Sequence, residues 1–140
     1  MKLFMRLLIT GILAGVVLGI LLKSVELLTE KHVYTLLLNV DYIPWLSNSP
    51  MSEVQEFALH IIVSVCIVSA LYFVLRRARA PISLFVLGAV IIGGLYFPLT
   101  MLSHRTPDVT DAGALVYWLL AHAGYGFAAA IMIFSGKTGD

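Results

Sequence analysis

The sequence predicts an all-α integral membrane protein, in which residues 1–140 form a single domain of four transmembrane helices in a bundle. Hydrophobic residues make up 60% of the chain and charged residues 12%, and the mean hydropathy is +0.97, which is outside the range of soluble folds. Four apolar runs are near the length of about 20 residues that a helix needs to cross a bilayer. The net charge of +1 and the scattered cations give no indication of nucleic acid binding.

The first helix is predicted over residues 3 to about 29, and we interpret it as a retained span. Its charged start is similar to a secretory signal, but no small-residue cleavage site with a polar continuation follows the apolar run. Gly11, Gly15 and Gly19 repeat every four residues, so one face of the helix lacks side chains. This glycine seam predicts close packing against another helix.

The stretch from residue 31 to residue 51 breaks the pattern of long apolar runs. Residues 32–40 are apolar but too few to span a bilayer. Aromatic residues of the kind that settle at headgroup depth occur here, namely Tyr34, Tyr42 and Trp45. We therefore expect a segment that lies on the membrane surface between helices one and two. Turn-forming residues close it, namely Pro44, Asn48, Ser49 and Pro50.

The second and third helices have recognisable ends. Ser52 lies three residues before Gln55, which is the spacing of a capping box, and the second helix continues from there to about residue 75. Pro81 suits the first turn of a third helix over residues 82–102, because its missing N–H would be unpaired there. Pro98 leaves the carbonyl of Gly94 without its usual donor, which predicts a kink in the outer third of this helix.

The fourth helix is predicted to begin at a cap formed by Thr110 or Asp111 and to continue to about residue 134. Gly136 follows as a stop signal. A short polar loop, residues 103–111, separates this helix from the third.

Basic residues near the helix ends predict the orientation of the chain. Three arginines, Arg76, Arg77 and Arg79, lie between the second and third helices. The start and the tail are also basic, through Lys2, Arg6 and Lys137. The other two loops mix cations with carboxylates. By the positive-inside rule both termini are cytoplasmic, and we expect a multi-pass protein of the bacterial cytoplasmic (inner) membrane.

Polar side chains from three helices are expected on the outer side of the bundle. Glu53, Glu56, His60 and Ser64 are spaced by 3, 4 and 4 residues, so they share one face of the second helix. Ionisable groups in a bilayer cost about 2.5–3.5 kcal/mol each on insertion scales, so they normally face the bundle and pair. The predicted cluster for protons or a cation consists of His60, His122, Glu26, Glu56 and Lys23.

In that cluster the two histidines would titrate, Glu26 and Glu56 would be their partners, and Lys23 a counter-charge. Each member also has a structural interpretation. Lys23 and Glu26 could form an interfacial ion pair, and Glu56 could be a solvated residue of a first helical turn. His60 and His122 could be neutral rings, each hydrogen-bonded to a carbonyl or a hydroxyl and nothing more.

Catalytic motifs are missing from the sequence. It has no Ser-His-Asp spacing, no nucleophile elbow and no phosphate-binding loop, so we predict no catalytic residue and no enzymatic activity. Carboxylate and imidazole are a plausible ligand set for a divalent transition metal. No two histidines are four residues apart, however, and no zinc-type cysteine spacing exists, so we predict no metal and no cofactor. The single cysteine, Cys66, is interpreted as a packing residue.

Short sequence matches are spread in order over most of the chain. They are Lys23 with Glu26, His60-Ile61-Ile62 with Ser64 and Tyr72, Phe97-Pro98-Leu99 with Thr106-Pro107, and His122 after Tyr117-Trp118. In these residues the sequence resembles the YagU-like family of small bacterial inner-membrane proteins. The resemblance implies a link to tolerance of acid. The chain departs from the family pattern in its shorter outer loops and in Leu119, where we expect an acidic residue.

Two functions remain open from the sequence. The first is a membrane protein that handles protons or small cations through the outward-facing histidines and glutamates. The second is a non-catalytic accessory or scaffold subunit that packs against another membrane protein through the glycine seam. A lipid-modifying enzyme is the least favoured class. The expected surroundings are the lipid bilayer, with a homo-oligomer or a partner membrane protein as the expected assembly.

Overall fold

The computed structural model describes residues 2–41, 43 and 51–135. Within them the helices are α1 (Lys2–Thr29), α2 (Val33–Leu38), α3 (Glu53–Leu75), α4 (Pro81–Gly93), α5 (Tyr96–Met101) and α6 (Ala112–Phe134). Helices α4 and α5 together form one span of 21 residues, so the described chain holds four helices that are long and apolar enough to cross a membrane. The number of these helices agrees with the four predicted spans. Predicted roles that lie outside the described residues are those of Tyr42, Pro44, Trp45, Asn48, Ser49, Pro50, Gly136 and Lys137.

The four long helices alternate in direction. At one end of the bundle, Arg6 Nη2 on α1 donates to the Met132 carbonyl on α6 over 3.1 Å. At the other end, Lys31 just after α1 pairs with Asp111 just before α6. We call the first end the arginine end, because the turn that holds Arg76, Arg77 and Arg79 lies there, and the second end the α2 end. Helix α1 packs between α3 and α6, α6 also packs against α4, and contact between α3 and α4 is slight.

The glycine seam of α1 lies against α3. A Cβ atom added at Gly11 would lie 2.5 Å from the Val65 Cα, which is a backbone atom and cannot move aside easily. At positions 15 and 19 the same atom would lie 2.9 and 2.5 Å from side chains of α3. The Ser64 hydroxyl donates to the Gly11 carbonyl over 2.7 Å. The absence of side chains therefore allows both close packing and a direct interhelical hydrogen bond.

Helix α2 is part of the core of the bundle. Three of its apolar residues and one that follows it shortly are buried, namely Val33, Leu36, Leu38 and Val40. Helix α1 ends at Thr29, and the next residue, Glu30, has a φ of 60° in the left-handed region, which turns the chain back. Helix α2 then packs against α1, α3 and α6. The segment that was predicted to lie on the membrane surface thus packs into the end of the bundle, which its sequence did not indicate.

The third span is interrupted at Gly94 and Leu95, between α4 and α5, where the sequence predicts a kink. Pro98 has no N–H to donate to the Gly94 carbonyl. That carbonyl instead accepts from the Phe97 N–H over 3.4 Å. The Phe97 N–H is thereby withdrawn from the Gly93 carbonyl, which accepts from Trp118 Nε1 of α6 over 2.7 Å. The kink therefore gives α6 a backbone acceptor in the third span.

The helix starts agree with the sequence signals. Ser52 and Gln55 form the predicted capping box at the start of α3. Asp111, one of the two predicted candidates, caps α6 by accepting from the Ala114 N–H over 3.0 Å. Pro81 occupies the first turn of α4. These local signals fix where the spans begin, and hence which residues lie at the α2 end.

The seam makes a testable prediction about stability. Gly11→Ala should lower the free energy of unfolding in detergent micelles by about 1–3 kcal/mol, because the new methyl group overlaps the α3 backbone. Gly124→Ala in α6 is the matched control, since its Cβ would meet Leu21 Cδ1 at an ordinary 3.4 Å. That control should be neutral or stabilising by up to about 1 kcal/mol. Equal unfolding free energies for the two variants would contradict the seam.

Candidate functional site

A cavity of about 110 Å³ lies between the spans on the side where α3 and α4 pack least. His60 from α3 and His122 from α6 both line it. Ser64, Trp118 and Tyr125 provide further polar groups, and the other lining residues are aliphatic. We call this space the inner cavity. The structure therefore brings the two predicted histidines to one space, although they come from different spans.

His122 is buried, with 6% of its surface exposed. Its Nδ1 lies 2.8 Å from the Trp118 carbonyl one turn earlier in α6. A carbonyl only accepts, so Nδ1 is assigned the proton, and Nε2 of the neutral ring has a lone pair with no partner among the described residues. The Trp118 ring lies against the imidazole with 4.5 Å between the ring centroids.

His60 is hydrogen-bonded through the other ring nitrogen. Its Nε2 lies 3.3 Å from the Gly15 carbonyl of α1, so Nε2 is assigned the proton and Nδ1 has the lone pair. This contact is possible because Gly15 has no side chain between the α1 backbone and α3. Each histidine thus uses one nitrogen for a structural hydrogen bond, and the other nitrogen has no partner in the described parts of the chain.

Ser64 and Tyr125 connect three spans beside the two rings. The Ser64 hydroxyl, which donates to Gly11 on α1, lies 3.1 Å from the Tyr125 hydroxyl of α6. The Tyr125 hydroxyl also donates to the Ser64 carbonyl over 3.3 Å. Both side chains are buried. This network ties α1, α3 and α6 together at the level of the inner cavity.

A second cavity, of about 350 Å³, lies at the α2 end, and we call it the vestibule. Its polar lining consists of Lys23, Tyr34, Thr35, Glu53, Glu56 and Arg105. Lys23 pairs with Glu53, and the Tyr34 hydroxyl donates to the same carboxylate over 3.0 Å. Burial, followed by the hydrogen bond to Glu53, raises the pKa of Tyr34 to about 12. Tyr34 therefore stays protonated at physiological pH and remains a donor.

Glu26 is not placed among the residues that line the inner cavity. Its carboxylate accepts from the backbone N–H and the hydroxyl of Thr35, both over 2.8 Å, and lies 3.5 Å from His32 Nδ1. This carboxylate therefore fastens α2 to the end of α1. The structure corrects two expectations, because Lys23 pairs with Glu53 instead of Glu26, and Glu26 contacts Thr35 and His32 instead of the two cavity histidines.

Glu56 lies between the vestibule and the histidines. Its side chain is 12% exposed, and its Oε1 is 4.0 Å from Arg105 Nη1. Glu56 lines the vestibule and also a groove of about 220 Å³ between α3 and the segment that follows α2. His60 lines this groove as well as the inner cavity. Four of the five residues of the predicted cluster therefore line three neighbouring spaces. The vestibule and the groove share Glu56, and the groove and the inner cavity share His60.

Several residues of this region could not be predicted from the sequence. Asn39 is buried in the groove, and the signal that could have found it is its position as a lone amide at the end of an apolar run. Arg105 is one of the loop cations that served only to predict the orientation of the chain, yet it faces Glu56. Trp118 and Tyr125 share a face with His122, but no sequence pattern shows that this face borders a cavity.

Comparisons with known proteins do not identify the chain. No family model matches it, no curated protein matches it, and no solved structure matches it. The resemblance to the YagU-like family stays a prediction. In the part of the chain that the structure describes, no group of three or more His, Cys, Asp or Glu side chains could hold a metal ion.

An ion pair at the α2 end joins the end of α1 to the start of α6. Lys31 Nζ lies 2.8 Å from both carboxylate oxygens of Asp111, and both side chains are about two-thirds buried. The hydrogen bond from Lys31, followed by that from the Ala114 N–H, lowers the pKa of Asp111 below its ordinary 3.8. The contribution of this group to stability is therefore complete above pH 3.8 and is lost as the pH falls through the lower pKa of the folded state.

Asp111→Asn should retain the cap of α6 and remove the ion pair. We expect the free energy of unfolding in micelles to fall by up to about 1 kcal/mol at neutral pH. The difference from the wild type should shrink as the pH is lowered below 3.8, where the wild-type carboxylate also loses its charge. Lys31→Gln removes the pair from the other side and should lose a similar amount. A difference that stays constant across the acid range would contradict this assignment.

Proposed function

We propose that this chain is a multi-pass protein of the bacterial cytoplasmic membrane that handles protons or small cations through His60 and His122. One observation carries the proposal. Two imidazoles from different spans line one cavity, and each binds a backbone carbonyl through one nitrogen while the other nitrogen has no partner in the described chain. A neutral ring held in this way can gain a proton without losing its structural hydrogen bond.

The distribution of charge supports an orientation with both termini in the cytoplasm. Arg76, Arg77 and Arg79 lie at the same end as Lys2 and Arg6, whereas the vestibule lies at the opposite end. Under the positive-inside rule the vestibule then faces outward. Protons from an acidic exterior would reach Glu56 and His60 before they reached the cytoplasmic side.

The size of the inner cavity favours a small occupant. Ligand pockets for organic molecules measure about 300–1,000 Å³, whereas the inner cavity measures about 110 Å³. Two imidazoles are also fewer than the three or four protein ligands of a typical zinc site. Protons and a few water molecules suit this space better than a metal or an organic substrate, and we propose no enzymatic activity. The acid tolerance implied by the family resemblance is consistent with this chemistry.

The alternative function, a scaffold that docks through the glycine seam, gains less support. In this chain the seam faces α3, and an added Cβ at Gly11, Gly15 or Gly19 would overlap α3 atoms. A partner could use the seam only by displacing α3. A scaffold would therefore have to use the other apolar surfaces, which are also the surfaces that lipid would cover.

Liposomes with a pH dye inside test the proposed function. After the outside is acidified, liposomes with the wild-type protein should acidify internally faster than protein-free liposomes. His60→Gln and His122→Asn each keep a side-chain N–H near the position of the bonded nitrogen but cannot take up a proton. The double variant should therefore fold and show only the rate of protein-free liposomes. His104→Gln, in the loop before α6, is the matched control and should keep the wild-type rate.

An unchanged rate in the folded double variant would overturn the proposal. Loss of the folded protein in both single variants, with the His104→Gln protein intact, would instead assign the two histidines a structural role.

A further inference from the structure

An orphaned amide lies next to the proposed proton site. Asn39 is 3% exposed, and among the described residues its Nδ2 is a buried side-chain atom with no hydrogen-bond partner. Its Oδ1 accepts from the Asp41 N–H over 3.2 Å, which fixes the direction of the amide group. A buried polar group without a partner costs about 1–3 kcal/mol. The position therefore calls for an acceptor that the described side chains do not provide.

The groove beside Asn39 provides the rest of a hydrogen-bonding site. Asn39, Glu56 and His60 line the same 220 Å³, and their neighbours in the groove are aliphatic. Asn39 Nδ2 is a donor, whereas the Glu56 carboxylate and the free Nδ1 of His60 are acceptors. A water molecule satisfies such a set, because its oxygen accepts one hydrogen bond and its two hydrogens donate two.

Several charged groups around the groove lie near Glu56. Arg105, from the loop before α6, has its Nη1 4.0 Å from Glu56 Oε1 and 3.5 Å from Asp41 Oδ1. Glu53 lies one turn earlier on α3 and is occupied by Lys23 and Tyr34. Glu56 therefore has a weak ionic contact on its vestibule side and the aliphatic groove on the other, which suits a carboxylate that exchanges protons.

We propose that Asn39, Glu56 and His60 hold a bound water through which protons pass from the vestibule to His60. This inference rests on the proposed function and names the route by which its site is reached. A hydronium ion in the vestibule gives a proton to the Glu56 carboxylate and becomes water. Glu56 gives that proton to the bound water, which passes one of its own protons to His60 Nδ1. The carboxylate and the water are regenerated, and one imidazolium is formed.

The interconversion of the His60 ring between its neutral and charged forms reports this delivery. Nε2 keeps its proton and its hydrogen bond to Gly15 in both forms, so the rate of this exchange measures how fast protons reach Nδ1. Nuclear magnetic resonance on protein with ¹⁵N-labelled histidine, in lipid nanodiscs, gives this rate for each ring. Glu56→Gln keeps the shape of the side chain and should slow the exchange at His60 by at least about tenfold.

Glu30→Gln is the matched control, because it makes the same change at an exposed glutamate at the same end of the bundle. It should leave the His60 exchange rate unchanged. Asn39→Leu removes the anchor of the water and should also slow the exchange. The Glu56 variant tests the relay even if the Asn39 variant does not fold.

A second measurement detects the water directly. In nanodiscs of deuterated lipid, magnetisation should pass from water to the Asn39 side-chain amide, and the cross-peak should be absent from Asn39→Leu. Transfer from lipid chains in protonated nanodiscs, with none from water, would show that the groove holds lipid and would overturn the relay.

The two proposals fail in different ways. If His60 takes up protons at an unchanged rate in Glu56→Gln, the relay is wrong and the proposed function stands. If His60 stays neutral throughout the pH range in which the protein is folded, the proposed function fails, and the relay fails with it.

Discussion

The backbone of α1 lies directly against α3 because Gly11 and Gly15 have no side chains to hold the helices apart. Close approach does more than allow packing, because it brings two carbonyls of α1 within reach of polar groups on α3. The Gly11 carbonyl accepts from Ser64, and the Gly15 carbonyl accepts from His60. Polar side chains that are packed between helices need such partners. The close approach of α1 to α3 therefore both packs the first two spans and places the candidate site.

The second histidine depends on an irregularity in the third span. The kink near Pro98 leaves the Gly93 carbonyl available to the indole N–H of Trp118, and the Trp118 ring then lies against His122. His60 is thus oriented by a carbonyl that Gly15 leaves accessible, whereas His122 packs against a Trp118 ring that is held by a carbonyl freed near Pro98. Substitutions at these backbone positions should act on the site without contacting it.

Local signals in the sequence predict much of this structure, but they do not show which residues from different helices contact each other. The capping box at Ser52, the kink before Pro98 and the four spans follow from patterns within a few residues. The pairing of Lys23 with Glu53 depends on the axial register of α1 against α3, which helix periodicity does not determine. The burial of α2 depends on the gap at the end of the bundle, which exists only after the spans have packed.

The central claim is that His60 and His122 share one space and titrate together. Two ionisable groups that share a cavity titrate as a coupled pair, so replacement of one changes the titration of the other. The direct measurement is the ¹⁵N spectrum of the histidines in lipid nanodiscs as a function of pH, for the wild type and for His60→Gln and His122→Asn. The account predicts that both rings gain a proton in the wild type and that each substitution shifts the midpoint of the remaining ring. Independent midpoints, or rings that stay neutral throughout the pH range in which the protein is folded, would contradict it.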